Sequence, residues 1–152
     1  MNFAHMADPT RSAWFNRMTA TGLTVSGDPA PVGVPSVIEA MQSVANWEVQ
    51  PVAEVPLSHP EALQEVDRQW YTQATHNGLF GEGNSFLLSI SGSGSSAFGW
   101  VVVKWVPGAE LAPRLARAEE GLDFVAMSMD GRVVCAVTEE EYEYWIVVQH
   151  LR

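Results

Sequence analysis

Three β-rich runs close the chain in quick succession: Leu122–Met129, Arg132–Thr138 and Glu143–His150. Asp130-Gly131 stands between the first two. An Asp-Gly pair flanked by strand-like runs is the strongest short-range sign of a β-hairpin, and it predicts a type I′ turn here. Strands joined by such short loops pair antiparallel, because a parallel return needs a long crossover. This stretch therefore commits the chain to an antiparallel sheet. Ser85–Ser91 and Phe98–Val106 add two predicted strands, joined by the Gly- and Ser-rich segment from Ser91 to Ser96.

Helix signals gather in the first half. Asp8-Pro9 reads as the cap and first residue of a helix carrying Trp14, Phe15 and Met18, which Gly22 can end. Ser36-Val-Ile-Glu39 and Ser58-His-Pro-Glu61 both match the capping box, in which Ser and Glu each satisfy the other's backbone N–H. Behind the first, Val37, Ile38, Met41, Val44 and Ala45 form an apolar stripe. Behind the second, Leu63, Val66, Trp70 and Ala74 recur at helical spacing until Asn77-Gly78. Glu110–Glu119 predicts a short fourth helix with Pro113 in its first turn. Gly27–Pro35 holds three prolines and two glycines and reads as a loop. Pro51 interrupts the alternation of Trp47–Val55, which marks an edge strand or an extended connector. The expected fold is α+β, an antiparallel sheet of about five strands with three to four helices packed mainly on one face.

The chain has the material for one core. Its 152 residues are 47% apolar and 17% charged, within the size of a single domain and outside the composition of disordered chains. Residues 1–152 are read as one domain, with 1–6 set aside because His5-Met6 resembles a cloning scar. Cys135 is the one cysteine, so no internal disulfide can form. It sits in a strand-like run with no His or Lys nearby in sequence, and reads as a small buried hydrophobe rather than a reactive thiolate. The chain lacks both a spanning apolar run and a basic-then-apolar leader, which sets the expectation of a cytoplasmic protein.

Charge narrows the partners. There are 18 Asp and Glu against 8 Lys and Arg, a formal net charge of -10, and Lys104 is the single lysine. Nucleic-acid backbones and anionic membranes call for clustered cations, so neither is expected as a partner. A basic protein would be attracted and steered. Arginine in excess of lysine, with much Ala, Val and Gly, is compatible with a GC-rich bacterial genome. Lys104 interrupts the strand face of Phe98, Trp100, Val102 and Val106, and is read as reaching solvent from the strand end.

Signatures of cofactor chemistry fail on context. Gly92-Ser-Gly94-Ser-Ser-Ala97 matches G-x-G-x-x-A after a strand, but a β-rich run follows instead of the helix that would hold a pyrophosphate. A hairpin loop is the reading. No Gly-Lys-Ser/Thr and no G-x-S-x-G occurs. His5, His59, His76 and His150 show no metal-ligand spacing, and His76 is explained by a helix C-terminus that favours a cation. Neither cofactor nor metal is expected.

Glu139-Glu-Glu-Tyr-Glu143 is the densest charged run. Glu139, Glu140, Glu141, Tyr142, Glu143 and Tyr144 are the candidate partner-binding residues: the carboxylates complement Arg or Lys, and the tyrosines supply rigid contact area. The competing reading is a solvated turn whose charges protect an edge strand. Alternation places Tyr142, Tyr144, Ile146 and Val148 on one face and Glu143, Trp145, Val147 and Gln149 on the other. That strand is therefore central, or lies under a partner. The leading expectation is an acidic, non-enzymatic inhibitor or immunity-type protein that occludes a basic toxin or nuclease. The alternative is a small-molecule-binding domain or small enzyme whose pocket is lined by Trp70, Trp100, Trp105 and Trp145. A third is a chaperone or adaptor that forms a homodimer through its sheet.

Overall fold

The strand signals resolve into one sheet. The computed structural model describes residues 9–90, 99–116 and 122–151. The helices are α1 (Pro9–Ala20), α2 (Val37–Val44), α3 (Ala62–His76) and α4 (Ala112–Leu115). The strands are β1 (Thr24–Val25), β2 (Ala53–Pro56), β3 (Ser85–Ile90), β4 (Val101–Lys104), β5 (Phe124–Met127), β6 (Val133–Glu139) and β7 (Glu143–His150). They pair antiparallel throughout, in the order β1-β4-β3-β5-β6-β7-β2.

This is the α+β architecture expected, but the sheet has seven strands rather than about five. Both additions are edges. β2 takes up the end of the run flagged by Pro51, and it lies against β7 with Pro56 opposite Glu143. On an edge a missing donor is tolerated. β1 is two residues long, pairing Thr24 with Lys104 and Val25 with Val103.

Period-2 alternation splits the apolar residues between two faces. Phe86, Leu88, Val103, Phe124, Ala126, Cys135, Val137 and Ile146 join one core with Trp14 and Met18 of α1, Val66 and Trp70 of α3 and Leu115 of α4. Leu87, Val102, Val125, Met127, Val134, Ala136 and Val147 join the other with Val37, Ala40 and Val44 of α2. Three helices thus share one face, as expected, and α2 alone of the four lies on the opposite face.

Side chains bonded to distant carbonyls and amides fix the thick face. Trp70 Nε1 donates to the Cys135 carbonyl at 3.1 Å, and Trp14 Nε1 to the Ile90 carbonyl at 3.1 Å. Asp67 Oδ1 accepts the Leu111 and Ala112 amides at 2.8 and 3.0 Å, which caps α4 from α3. α4 is shorter than predicted, and residues 117–121 lie outside the described residues.

The two capping boxes fare differently. Ser36 Oγ accepts the Glu39 amide at 3.1 Å, and Glu39 Oε1 accepts the Ser36 amide at 3.1 Å. The Ser58 box does not form, and α3 begins at Ala62. The chain is still turning off β2 there: the His59 amide donates to Pro56 and the Ala62 amide to His59. His59 Nδ1, not a serine hydroxyl, accepts the Glu61 amide at 3.0 Å.

The β5–β6 turn is also corrected. Asp130 does not have a positive φ, whereas Gly131 does (φ 75°), so the turn is not type I′. The Gly131 amide donates to the Ser128 carbonyl at 2.9 Å, consistent with the longer hairpin form that places glycine in the left-handed position. Gly131 is buried, and a Cβ there would come within 2.8 Å of Pro35 Cδ. The Gly27–Pro35 loop is thereby seated on the α2 face, where Trp100 Nε1 also donates to the Pro35 carbonyl at 2.8 Å. Gly131→Ala is expected to cost about 1–3 kcal/mol through this overlap. Gly33 has a similar φ of 90° but open space around it, so Gly33→Ala isolates the backbone strain. Thermal melts should show the larger fall for Gly131→Ala, and equal falls would sink the packing account.

Candidate functional site

The longest ladder of the sheet presents the acidic run. β6 and β7 pair from Val133–His150 to Glu139–Tyr144, and the Glu140 amide closes the hairpin on the Glu143 carbonyl at 2.8 Å. The Leu57 amide donates to the Tyr142 carbonyl at 3.0 Å, tying the turn to the residue after β2. The turn is held on both sides, and Glu140, Glu141 and Tyr142 are exposed, Tyr142 to 76%.

The six candidate residues divide by role. Glu139 Oε1 accepts the Leu122 amide at 3.1 Å, while its own amide donates to Asp123 Oδ1 at 2.9 Å. The Tyr144 hydroxyl bonds to Glu139, and partial burial pushes that phenol's pKa up, helped by the neighbouring Glu139 charge. Glu143 Oε1 accepts Trp145 Nε1 at 2.9 Å. Glu139, Glu143 and Tyr144 therefore bond within the hairpin and to its neighbours, although Glu139 is itself exposed, and Glu140, Glu141 and Tyr142 are displayed at the turn. β7 follows the predicted alternation, with Tyr144, Ile146 and Val148 toward α3 and Trp145 and Val147 toward α2. It lies inside the sheet, between β6 and β2.

Beside the hairpin is a groove of about 380 Å³ between α2 and the sheet. Met41, Val44 and Ala45 contribute from α2, and Val125 and Ala136 from the strands. Asp123, Glu139 and Glu140 also line it, so the acidic hairpin and the apolar groove form one surface. The apolar stripe read on α2 faces two ways. Val37 and Val44 are buried with Ala40, while Ile38 is 55% and Met41 49% exposed.

Asp123 was not among the candidate residues. It stands apart from the charged run, and its one sequence signal is its place two residues before Val125, on the same strand parity. Although Asp123 remains solvent-exposed, partial desolvation pushes its pKa up, the Glu139 amide pulls it down, and the charges of Glu139 and Glu140 push it up again. Its ionised form is thus disfavoured in the folded state.

The four tryptophans do not converge on a pocket. Trp70 is fully buried, with ring centroids 6.1 Å from Trp105 and 5.5 Å from Phe124. Trp100 and Trp145 pack on the opposite face, so the sheet separates the two pairs. None of the four lines the groove, although Trp145 pairs across the ladder with groove-lining Thr138.

The remaining candidates take structural places. Cys135 is buried, which pushes its thiol pKa well up and leaves no thiolate. His76 ends α3, and His150 Nε2 lies 3.0 Å from Asn77 Oδ1. Among the described residues, no group of three or more His, Cys, Asp or Glu could hold a metal, and no helix is long and apolar enough to cross a membrane. His5 and the Gly92–Ala97 segment lie outside the described residues, and β4 follows that segment as an antiparallel partner of β3. Lys104 is exposed at the end of β4, as read from the sequence.

A raised acid pKa means that the folded state holds its proton more tightly than the unfolded chain, so this contribution to stability falls as pH rises. Asp123→Asn, which keeps an oxygen for the Glu139 amide, should be at least as stable as the parent at neutral pH. Its advantage should shrink toward the acid end of the carboxylate range. Asp123→Ala removes the acceptor and should cost about 1 kcal/mol or more. If Asn and Ala destabilise equally at neutral pH in urea titrations, the burial account fails.

Comparison with protein-family models, curated proteins and solved structures finds no match in any of the three.

Proposed function

We propose that this chain is an acidic protein-binding domain that docks a basic partner through its β6–β7 hairpin. It would act as an inhibitor or immunity-type protein that occludes a toxin's or nuclease's cationic groove. The observation that carries this reading is the exposure of Glu140, Glu141 and Tyr142 at a turn closed by the Glu140–Glu143 backbone bond and tied by Tyr142 to Leu57. A preorganised turn loses little conformational freedom on binding, and exposed carboxylates on a chain of net charge -10 steer a cationic surface into contact. A second reading, a small-ligand-binding protein, is favoured by the groove itself, whose volume falls at the lower end of the range that holds small molecules.

Glu140→Lys/Glu141→Lys tests the first reading without disturbing the glutamates that build the hairpin. Immobilised parent chain should retain one basic host protein at low salt and release it as salt rises. With that protein purified, the double variant should slow association by at least about tenfold. Unchanged association would remove the hairpin from the interface.

A further inference from the structure

We infer that the groove beside the hairpin receives a cationic amphipathic segment of a partner protein. Apolar side chains of the segment would lie on the groove floor, and its Lys or Arg would meet the carboxylates at the rim. This rests on the docking reading above and names the chemistry of the anchor.

Two features of one surface lead there. The floor and α2 wall are apolar at Met41, Val44, Ala45, Val125 and Ala136, a lining that suits aliphatic or aromatic side chains. The groove is also lined by Asp123, Glu139 and Glu140, three acids in one place with no basic residue lining it among the described residues. The sheet extends this pattern: register sets Glu54 of β2 opposite Trp145 of β7, and Trp145 opposite Thr138 of β6. Glu54 is therefore an exposed acid in register, through Trp145, with groove-lining Thr138. An apolar groove lined also by carboxylates is complementary to a segment that alternates apolar and basic faces.

A second copy of the chain is a poor occupant, because it brings the same excess of acid to an acidic rim. Exposure around the groove also favours a partner larger than a small molecule. Ile38 and Met41 stand half out of α2, and Trp47, just beyond its end, is 88% exposed. A peptide segment can cover such apolar surface in addition to the groove, whereas a small amine cannot.

The test uses a labelled peptide of Leu and Lys in amphipathic helical order, with fluorescence anisotropy on the full chain. Two control peptides replace Leu by Gln, or Lys by Glu. The Leu/Lys probe should bind at least about tenfold more tightly than either control. Ala45→Trp, at an exposed position on the groove wall, and Met41→Gln, which makes that wall polar without adding charge, should each weaken it by about tenfold, with thermal melts unchanged. Equal binding of the Leu/Lys and Gln/Lys peptides would overturn the inference, since charge alone would then explain the contact. Indifference to both groove variants, with loss in Glu140→Lys/Glu141→Lys, would overturn the groove and leave the hairpin reading standing. Absence of binding by the Leu/Lys probe, together with unchanged partner association in that double variant, would remove both readings. Displacement of the probe by hexylammonium at equal concentration would reassign the groove to a small amine. A concentration-dependent dimer dissolved by Ala45→Trp would reassign it to a second copy.

Discussion

Tyr144, Ile146 and Val148 leave β7 on one side, and Trp145 and Val147 on the other. A strand apolar on both faces must be covered twice, and the surrounding architecture answers that demand. Burying one large aliphatic side chain is worth about 1.5–3 kcal/mol, against about 0.5–1.5 kcal/mol for a typical hydrogen bond. Packing, more than the ladder, therefore decides where β7 sits. It takes an inside position between β6 and β2, with α3 above Ile146 and the α2 cluster below Val147. The hairpin at its start inherits this rigidity, because Glu143 and Tyr144 belong to the buried strand and cannot move independently of it.

The two covers are unequal. α3 has fifteen residues and seats Trp70 against the middle of the sheet, with α1 and α4 filling in around it. α2 has eight and reaches only part of its face. The Gly27–Pro35 loop covers more of that face, locked by Trp100 and by the close approach at Gly131. Between the end of α2 and the strand ends near Asp123 no element intervenes among the described residues, and the groove is the space left over. Its chemistry follows from the strand pattern: residues that would have been core under a longer helix become a floor.

Much of the fold was legible because it is written in short-range chemistry. Ser36 and Glu39 cap α2 by a reciprocal pair that needs only four residues, and the alternation of β7 needs only eight. The failures lie where a longer-range contact wins. Ser58 has the right spacing from Glu61, but the chain there is still held by the turn off β2, and His59 supplies the acceptor. Thr24–Val25 carries no period of its own and becomes strand because β4 offers it an edge. Asp130-Gly131 marks the hairpin correctly, while the turn type follows from the seating of Gly131 under Val34 and Pro35. The acidic run was visible as composition, but the structural part of Glu139 depends on Leu122 and Asp123, which lie far outside a local window. The groove had no local signature, since it depends on the width of the sheet relative to the length of α2.

Asp123 shows why the site has the character proposed for it. Partial desolvation is the main reason its proton is held more tightly than in water, and repulsion from the Glu139 and Glu140 carboxylates adds to it. Water reaches this rim, since Asp123, Glu139 and Glu140 are all exposed, so two unit charges about 4 Å apart interact there by between about 1 kcal/mol, as in water, and about 4 kcal/mol, as at the effective dielectric near a protein surface. A cation at the rim would stabilise the ionised form of Asp123, so binding and loss of its proton are coupled, and affinity should rise with pH across the carboxylate range. An uncharged apolar ligand gains nothing from that coupling. On the proposed reading, a basic, partly apolar partner would offset the repulsion among these carboxylates while covering the floor.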